Sequence, residues 1–431
     1  MVKRQEIGNA KERLNALRTP MTTMLPMASA QNYRWVILLI ATLAQAAACF
    51  FVQGIGAISV YIQADMGLSA FQIGALVSAA QLVPLVGLLV AGELLDRFSE
   101  RLVVGVGTLT VGIALSAAVL AESYWAMLLF LVIVGAGYST AQPGGSKSVA
   151  AWFDKSQRGF AMGIRQAGLP LGGALAAIIL PTVAITWGWR ASFLVGGLIA
   201  IFGALVFMLF YRAPGSVLPV ARASEGGVKK VVLSRLAMIR EPAMKQIMAS
   251  GISLISVQYG ILIFTVLYLH SRLQMEVLQA ATLLFVAQGA GVAGRILLAA
   301  WSDRCRSRYF PVMVCMVAVI VGLLVLVWLP LHSTLMLGCL MAWLGFFGFG
   351  WYGPWVAYVA ESAPADKTGF VLGLAMAINQ LAIVSIPPLL GWLLDISGSF
   401  MLGWSLLIAM TLLGLLMTIQ RQGENNESHR V

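Results

Sequence analysis

Charged residues are scarce in this 431-residue chain, and that shortage decides its broad class. Only 10% of the residues are charged, whereas 60% are hydrophobic. A soluble domain usually has about 25% charged residues on a hydrated surface. The composition therefore excludes an ordinary soluble protein and predicts a membrane protein.

Cysteine, histidine and catalytic motifs are also sparse. The four cysteines lie in or beside apolar runs without a CxxC spacing, so neither a disulfide framework nor a zinc site is predicted: Cys49, Cys305, Cys315 and Cys339. The sequence has no GxSxG, HExxH or P-loop motif and no pair of intramembrane carboxylates. We therefore expect no enzymatic activity, no cofactor and no metal.

The net charge of +11 does not indicate nucleic-acid binding. The basic residues are scattered over short loops and tails, which is the pattern that orients a membrane protein. The partners expected are a lipid bilayer and a small molecule, and no nucleic acid.

Long apolar runs recur along the chain. A membrane-crossing helix needs about 20 mostly apolar residues, and the sequence contains twelve such runs: 34–60, 71–95, 102–121, 124–150, 159–185, 189–211, 244–269, 277–301, 309–329, 334–360, 367–393 and 399–420. The predicted fold class is an all-α membrane protein of twelve spans.

Loop charge predicts the orientation of the spans. Alternate loops contain the basic residues Arg97, Arg101, Lys155, Arg158, Arg304, Arg306, Arg308 and Lys367, whereas the other loops contain only Arg190 and Arg272. Cytoplasmic loops collect Lys and Arg, so both termini are predicted to be cytoplasmic. The predicted organisation is a tail (1–33), a six-helix bundle (34–211), a basic linker (212–243), a second six-helix bundle (244–420) and a tail (421–431).

The two predicted bundles resemble each other. Leu95 to Arg97 recurs as Ser302 to Arg304, residues 137–143 recur as 348–354, and residues 159–164 recur as 369–374. Three matches in the same order indicate duplication. Duplicated halves that rock about a shared central site are a common transporter architecture.

One motif identifies the family that the sequence resembles. GELLDRFSER, Gly92 to Arg101, resembles the loop between helices two and three of the major facilitator superfamily, although Ser99 and Glu100 replace the usual Gly and first basic residue. The resemblance implies a transporter of two pseudo-symmetric six-helix bundles in the bacterial inner membrane, working by alternating access. It also implies gating residues at the inner ends of the spans, namely Asp96, Arg97, Arg101, Asp303, Arg304 and Glu361.

Three basic residues stand well inside predicted spans rather than at their ends, and ionisable groups at such depth usually face a polar cavity or a partner. Lys147, Arg165 and Arg295 lie ~10 to ~12 Å deeper than the nearest charged residue at the inner end of their span, at ~1.5 Å per residue. Acidic partners are nearly absent at that depth, so we predict a cavity that binds an anion. Bundle structure, snorkelling and, for Arg295, pairing with Glu361 are the alternatives.

Arg295 is the leading predicted ligand residue. GRILLAAWSDR resembles the helix-eight segment of the monocarboxylate and oxalate/formate-type branches, which have a substrate-binding arginine there. Helix one lacks the acidic-glycine signature of typical monocarboxylate carriers. Polar or aromatic groups at plausible depth complete the predicted substrate site: Gln45, Tyr259, Gln288, Tyr352, Trp355 and Asn379.

The predicted activity is import of a small organic anion, by symport with a proton or by exchange for another anion. The three histidines fall at outer edges or in the tail, so no proton relay is predicted. An efflux antiporter for amphipathic neutral or anionic compounds is the alternative, because residues 163–173 approach an exporter element of the superfamily. A monomer is expected.

Overall fold

The computed structural model describes residues 27–213, 242–305, 309–329, 333–362 and 368–428. Within these ranges all the regular secondary structure is helical, and there is no strand. The first helices are α1 (Met27–Met66), α2 (Ala70–Leu82), α3 (Pro84–Arg97), α4 (Glu100–Ala118), α5 (Tyr124–Trp152), α6 (Lys155–Trp187) and α7 (Trp189–Phe210). The others are α8 (Pro242–Leu273), α9 (Val277–Ser302), α10 (Phe310–Trp328), α11 (Thr334–Gly350), α12 (Tyr352–Ser362), α13 (Thr368–Ser397) and α14 (Phe400–Ser428).

Several predictions fall outside the described residues. They concern most of the N-terminal tail (1–26), most of the linker (214–241), the last residues of the chain (429–431), and the basic residues Arg306, Arg308 and Lys367. The side chains of Lys155 and Arg158 are also outside the described part. The domain boundaries stay predictions.

The predicted number of spans is confirmed. Twelve segments of the described residues are helical, long and apolar enough to cross a membrane. Two of these spans were predicted as continuous runs but consist of two helices each: α2 with α3 in span two, and α11 with α12 in span ten. Pro84 is the first residue of α3, and proline interrupts a helix because it lacks a backbone N–H.

The ends of the spans differ from the predicted ends by several residues. The first span was predicted over 34–60, whereas the helix continues to Met66. Apolar character ends at the membrane boundary, but backbone hydrogen bonding continues through the polar residues Gln63 and Asp65. Ser69 then begins α2 with a capping box, in which its side chain accepts from the Gln72 N–H and the Gln72 side chain accepts from the Ser69 N–H.

Three helix pairs make most of the contact between the first half of the chain and the second. Helix α2 packs on α13, α6 packs on α9, and α1 packs on α8. The first two pairs are spans two with eleven and five with eight, which a repeat of six spans interconverts, and the third is spans one with seven, which the repeat maps onto itself. The structure therefore has the packing symmetry that a duplicated chain predicts.

The outer surface of the helical bundle is apolar. Large hydrophobic side chains are exposed on spans three, six, nine and twelve, including Val106, Ile113, Leu198, Phe202, Val317, Val321, Leu413 and Leu416. Spans one and seven are the most buried, so they form the centre of the bundle. An apolar belt around a buried centre is what a lipid environment requires.

Candidate functional site: a polar cavity between the two halves

A cavity of about 680 Å³, which includes space open to solvent, lies where the two halves meet. Its lining contains three tyrosines, one arginine and no acidic residue. Six more of the lining residues have side-chain amides: Gln81, Gln142, Gln166, Gln258, Asn379 and Gln380. The cavity wall is therefore polar and carries a net positive charge.

Arg295 is the charged residue of this wall. It is 4% exposed, and its Nε donates to the Phe349 carbonyl at 3.1 Å and its Nη1 to the Gln166 carbonyl at 3.1 Å. The guanidinium carbon lies 5.2 Å from the centre of the Tyr352 ring. These partners are neutral, and no ion pair of the described residues involves Arg295. The charge of Arg295 is therefore available to an anion in the cavity.

Arg165 lies behind the cavity wall rather than in it. It is fully buried, and its Nη2 donates to the Gln45 side chain at 3.0 Å, the Ala141 carbonyl at 3.2 Å and the Gln142 carbonyl at 2.5 Å. Its Nε and Nη1 have no hydrogen-bond partner among the described residues. Arg165 thus connects spans one, four and five, and its role in substrate binding stays a prediction.

The Lys147 side chain lies at the end of the first helical bundle at which α3 ends and α4 begins. Its Nζ donates to the Leu95 carbonyl and lies 3.4 Å from Glu100 Oε1 and 3.8 Å from Asp96 Oδ1. The expectation that Lys147 lacks an acidic partner is therefore wrong. Counting residues along a helix gives the depth of a side chain but not its neighbours on other helices, and a role of Lys147 in substrate binding stays a prediction.

The other predicted ligand residues divide into two groups. Tyr259, Tyr352 and Asn379 line the cavity together with Arg295. Three more are buried and are not part of the lining: Gln45, Gln288 and Trp355.

Each residue of this second group has a neighbour that accounts for its position. Gln45 holds Arg165, and the Trp355 indole donates to the Ile247 carbonyl at 3.2 Å. Gln288 packs against Gly173 across the junction between the halves, so closely that a Cβ on Gly173 would lie 1.7 Å from the Gln288 oxygen. These three side chains do not line the cavity in this conformation, and their role in substrate binding stays a prediction.

Most of the cavity amides were not predicted. Gln81, Gln142, Gln166 and Gln258 are uncharged, so a search for intramembrane charges does not find them. All four nevertheless stand inside predicted apolar spans, where polar side chains usually serve a function. Glutamine within an apolar run was the signal that could have identified them.

The predicted inner gate contains a cluster of charges that includes Lys147. Asp96 and Glu100 face the Lys147 ammonium, and the Tyr211 hydroxyl donates to Glu100 Oε2 at 3.2 Å. Burial and the neighbouring Glu100 carboxylate raise the pKa of Tyr211, so it remains a donor at physiological pH. Arg97 pairs with Glu93 one turn earlier at 2.7 Å, on an exposed face.

The remaining predicted gating residues lie at comparable positions. Arg101 is exposed in the first turn of α4. Asp303 is the C-cap of α9, Arg304 Nη1 donates to the Ala300 carbonyl at 3.4 Å, and Glu361 is exposed in the last turn of α12. Their gating role stays a prediction.

The opposite end of the molecule is closed by direct bonds between the halves, and we call it the closed end. Asp395 of α13 accepts the Ala70 N–H on Oδ1 and the Phe71 N–H on Oδ2, both at 2.8 Å. Ser78 donates to the Val384 carbonyl at 2.6 Å. Sequence reasoning missed this role of Asp395, since its partners lie more than 320 positions away.

Glycines tighten the closed end. A Cβ on Gly56 would lie 2.2 Å from the Leu262 carbonyl oxygen, one on Gly74 would lie 2.3 Å from the Pro387 oxygen, and one on Gly391 would lie 2.2 Å from the Ala70 oxygen. Backbones of the two halves therefore touch without side chains between them. Such contacts occur where transmembrane helices approach closely.

Twelve apolar spans around a polar central cavity, with one end sealed by contacts between halves, define a multi-pass membrane transporter. The Major Facilitator Superfamily model matches residues 41–387. The chain belongs to this superfamily, and it is a transporter rather than an enzyme. Its apolar spans and bacterial relatives place it in the bacterial inner membrane.

Three curated relatives show the range of its similarity. An uncharacterised transporter of this type from Mycobacterium tuberculosis is 27% identical over 86% of this chain and 82% of its own. A probable galactarate/D-glucarate transporter of Bacillus subtilis is 24% identical over 79% of this chain and 81% of its own. A probable L-galactonate transporter of Escherichia coli is 32% identical over 35% of this chain and 33% of its own.

A solved structure shares the fold. A bacterial homologue of the human lysosomal transporter Spinster, in an inward-facing and occupied conformation, superposes with a TM-score of 0.69 at 16% identity, over 90% of this chain and 96% of that chain. This similarity concerns the fold alone.

Proposed function

We propose that this protein carries a small organic-acid anion across the inner membrane by alternating access, importing it by symport or by anion exchange. The observation that supports the proposal most directly is Arg295 in the wall of a cavity without acidic residues. A planar guanidinium suits a carboxylate because it can donate two parallel hydrogen bonds. The galactarate/glucarate and galactonate relatives support the same class of substrate.

Charge balance gives an independent argument for an anion. Burying an unpaired cation costs several kcal/mol, and the hydrogen-bond partners of Arg295 are neutral carbonyls. A bound carboxylate would neutralise this charge between the halves. A cationic substrate would add a second positive charge to the same cavity.

The closed end supports alternating access. If the predicted orientation holds, the loops rich in Lys and Arg are cytoplasmic, and the bonds of Asp395 seal the outer side. The conformation would then be inward-facing. Transport would require these bonds to break and the opposite end to close.

Uptake into proteoliposomes tests the proposal. Wild-type protein should accumulate at least one radiolabelled acid from a panel of sugar acids, short monocarboxylates and dicarboxylates. Arg295→Ala should reduce uptake at least about 30-fold, because truncating a buried ion-pairing group costs about 2–5 kcal/mol. Arg295→Lys should recover little, since lysine lacks the planar fork.

Arg272→Ala is the matched control, because Arg272 is an exposed arginine at the end of α8. It should transport normally. Normal uptake by Arg295→Ala, or transport of none of the acids by folded wild-type protein, would contradict the proposal. A counter-anion loaded inside the vesicles, or an imposed pH gradient, then distinguishes exchange from proton symport.

A further inference from the structure

Two arginines and four aromatic rings form a group at the end of the first half that lies opposite the closed end. We call it the arginine–aromatic site, and its members are Tyr33, Arg34, Trp35, Trp152, Phe153 and Arg212. They stand where α1 begins and where α5 and α7 end. None of the six lines the central cavity, so this site is separate from the proposed substrate site.

Both guanidinium groups of the site lie over aromatic rings. The guanidinium carbon of Arg34 is 5.5 Å from the centre of the Trp35 ring and 5.6 Å from that of the Phe153 ring. The guanidinium carbon of Arg212 is 4.9 Å from the centre of the Tyr33 ring. The electron-rich faces of the rings attract the cations at such distances. The two charges are therefore held in place before any ligand binds.

Hydrogen bonds fix the main chain that carries Arg212. The Trp152 indole donates to the Arg212 carbonyl at 3.1 Å, and the Tyr33 hydroxyl donates to the Phe210 carbonyl. The rings of Tyr33 and Trp152 also contact each other, with their centres 5.8 Å apart. The end of α7 is thus tied to α1 and α5, and both arginines belong to one connected group.

The positive charges of the site have no acidic partner among the described residues. Neither Arg34 nor Arg212 takes part in an ion pair there, and Asp154, which follows Phe153, pairs with neither of them. Arg212 is exposed and Arg34 is partly exposed. Arginine binds phosphate especially well, because its planar fork donates parallel hydrogen bonds to two oxygens. The site therefore suits a phosphate group that approaches from outside the protein.

Exposed apolar side chains continue from the site towards the middle of the membrane. On α1 these are Trp35, Leu39 and Leu43, which share one face of the helix because they are four residues apart. On α7, which packs against α1, Leu205 and Leu209 are exposed as well. A phosphate bound at the site could therefore carry hydrocarbon chains that lie along these two helices. A free phosphate would use none of this surface.

We propose that the arginine–aromatic site binds the headgroup of an anionic phospholipid, whose chains lie along the exposed faces of α1 and α7. Tyrosine and tryptophan are typical of the depth at which headgroups lie, and basic pockets between spans bind anionic headgroups. A zwitterionic lipid would bring its own cation towards two arginines, so the site favours a net negative headgroup. This inference goes beyond the proposed function, because the lipid is not the cargo and does not use Arg295.

Lipid binding to the full-length protein purified in detergent tests the inference. Native mass spectrometry would compare dioleoyl phosphatidylglycerol with dioleoyl phosphatidylcholine, which has the same chains and the same phosphate but carries a cation. Phosphatidylglycerol should bind at least about 5-fold more tightly, as one charge near a membrane surface contributes. Equal affinities for the two lipids would overturn the inference.

Glycerol 3-phosphate distinguishes a lipid from a free phosphate. It contains the phosphate and the glycerol but no hydrocarbon chain, so it should bind far more weakly than phosphatidylglycerol. Equally tight binding of glycerol 3-phosphate would assign the site to a soluble phosphate compound and would overturn the lipid inference.

Substitution of the arginines tests the residues directly. Arg34→Gln and Arg212→Gln should each lower the affinity for phosphatidylglycerol about 5-fold, and the double variant should lower it about 30-fold. Phosphatidylglycerol should raise the melting temperature of the wild type but not that of the double variant. Wild-type affinity in the double variant, or in both single variants if the double variant does not fold, would overturn the inference.

Lys245→Gln is the matched control. Lys245 is an exposed basic residue near the start of α8, at the same end of the molecule but in the other half. This variant should bind phosphatidylglycerol like the wild type. A loss as large as that of the arginine variants would show that overall surface charge attracts the lipid, and would overturn the assignment to this site.

Arg295→Ala separates this inference from the proposed function. It should bind phosphatidylglycerol like the wild type, because Arg295 lies in the central cavity. Uptake of no acid by the wild type would contradict the proposed function alone, whereas equal binding of the two lipids would contradict the lipid site alone.

Discussion

The carboxylate of Asp395 should control how readily the closed end opens. Both of its oxygens accept backbone N–H groups of the first turn of α2, at 2.8 Å each, so one side chain of the second half caps a helix of the first. Asp395→Asn keeps the size of the side chain but removes the charge and one of the two acceptors.

The structure gives the size of the expected effect. A hydrogen bond to a charged group contributes about 1.5–3 kcal/mol when buried, and a charge at a helix N-terminus contributes about 0.3–1 kcal/mol. Asp395 is exposed, so solvent screening reduces both contributions. We expect a loss of about 1–2 kcal/mol, which raises the population open at this end about 5-fold to 30-fold.

Distances between spin labels would measure that population. Leu120 and Leu335 are 80% and 76% exposed and belong to opposite halves at the closed end, Leu120 in the turn after α4 and Leu335 in the first turn of α11. Both can carry the labels after substitution by cysteine. The non-buried Cys305 and Cys339 would be replaced by serine. Asp395→Asn should increase the fraction of long distances.

Asp65→Asn provides the matched control. Asp65 is at the same end of the molecule, but its carboxylate bonds to Trp189 and Arg190 of its own half, at 2.9 and 3.0 Å. Its loss should leave the distance distribution unchanged. An unchanged distribution in Asp395→Asn, or an equal shift in Asp65→Asn, would refute the reasoning.

Three more predictions concern the seal, the inner cluster and the cavity wall. Gly74→Val should hold the two halves apart at the closed end and abolish uptake, because a Cβ at position 74 would lie 2.3 Å from the Pro387 oxygen. Gly289→Ala is the control and should transport normally in the same assay, because the space around Gly289 is open. Lys147→Gln should change the uptake rate through gating and leave the substrate Kd, measured by titration, within about 2-fold of the wild-type value, as expected for a residue outside the cavity. A large change in Kd would instead show that Lys147 takes part in substrate binding. Trp355→Phe should lower thermal stability by about 1 kcal/mol through loss of one buried hydrogen bond, and an unchanged melting temperature would show that this bond contributes nothing.

The class of protein could be predicted from the sequence because a helix that crosses lipid must consist mostly of apolar residues. Twelve apolar runs and the loop motif around Asp96 sufficed for the fold and the superfamily. Arg295 was identified for the same reason, since a permanent charge in an apolar run is costly and needs a function. Depth along the helix, charge and the resemblance of GRILLAAWSDR to a substrate-binding segment together pointed to Arg295, which lines the cavity. Its role in binding stays a prediction.

Sequence reasoning failed where the decisive neighbour lies far along the chain. Lys147 meets Glu100, which belongs to another helix, and Asp395 meets the start of α2 in the other half. The facing direction of a side chain depends on helix rotation, which an apolar run does not encode when all its faces are hydrophobic. Gln81 and Gln166 were missed because an amide carries no charge to draw attention to it.

The attachment of Arg295 has a consequence for how such a carrier can evolve. Its two hydrogen bonds go to main-chain oxygens of Phe349 and Gln166, so no single side-chain replacement at those positions removes them. The amides around the arginine, by contrast, are side chains and can be exchanged one at a time. A descendant could therefore change Asn379 or Gln81 in the cavity wall while inheriting the main-chain bonds that hold Arg295 in place.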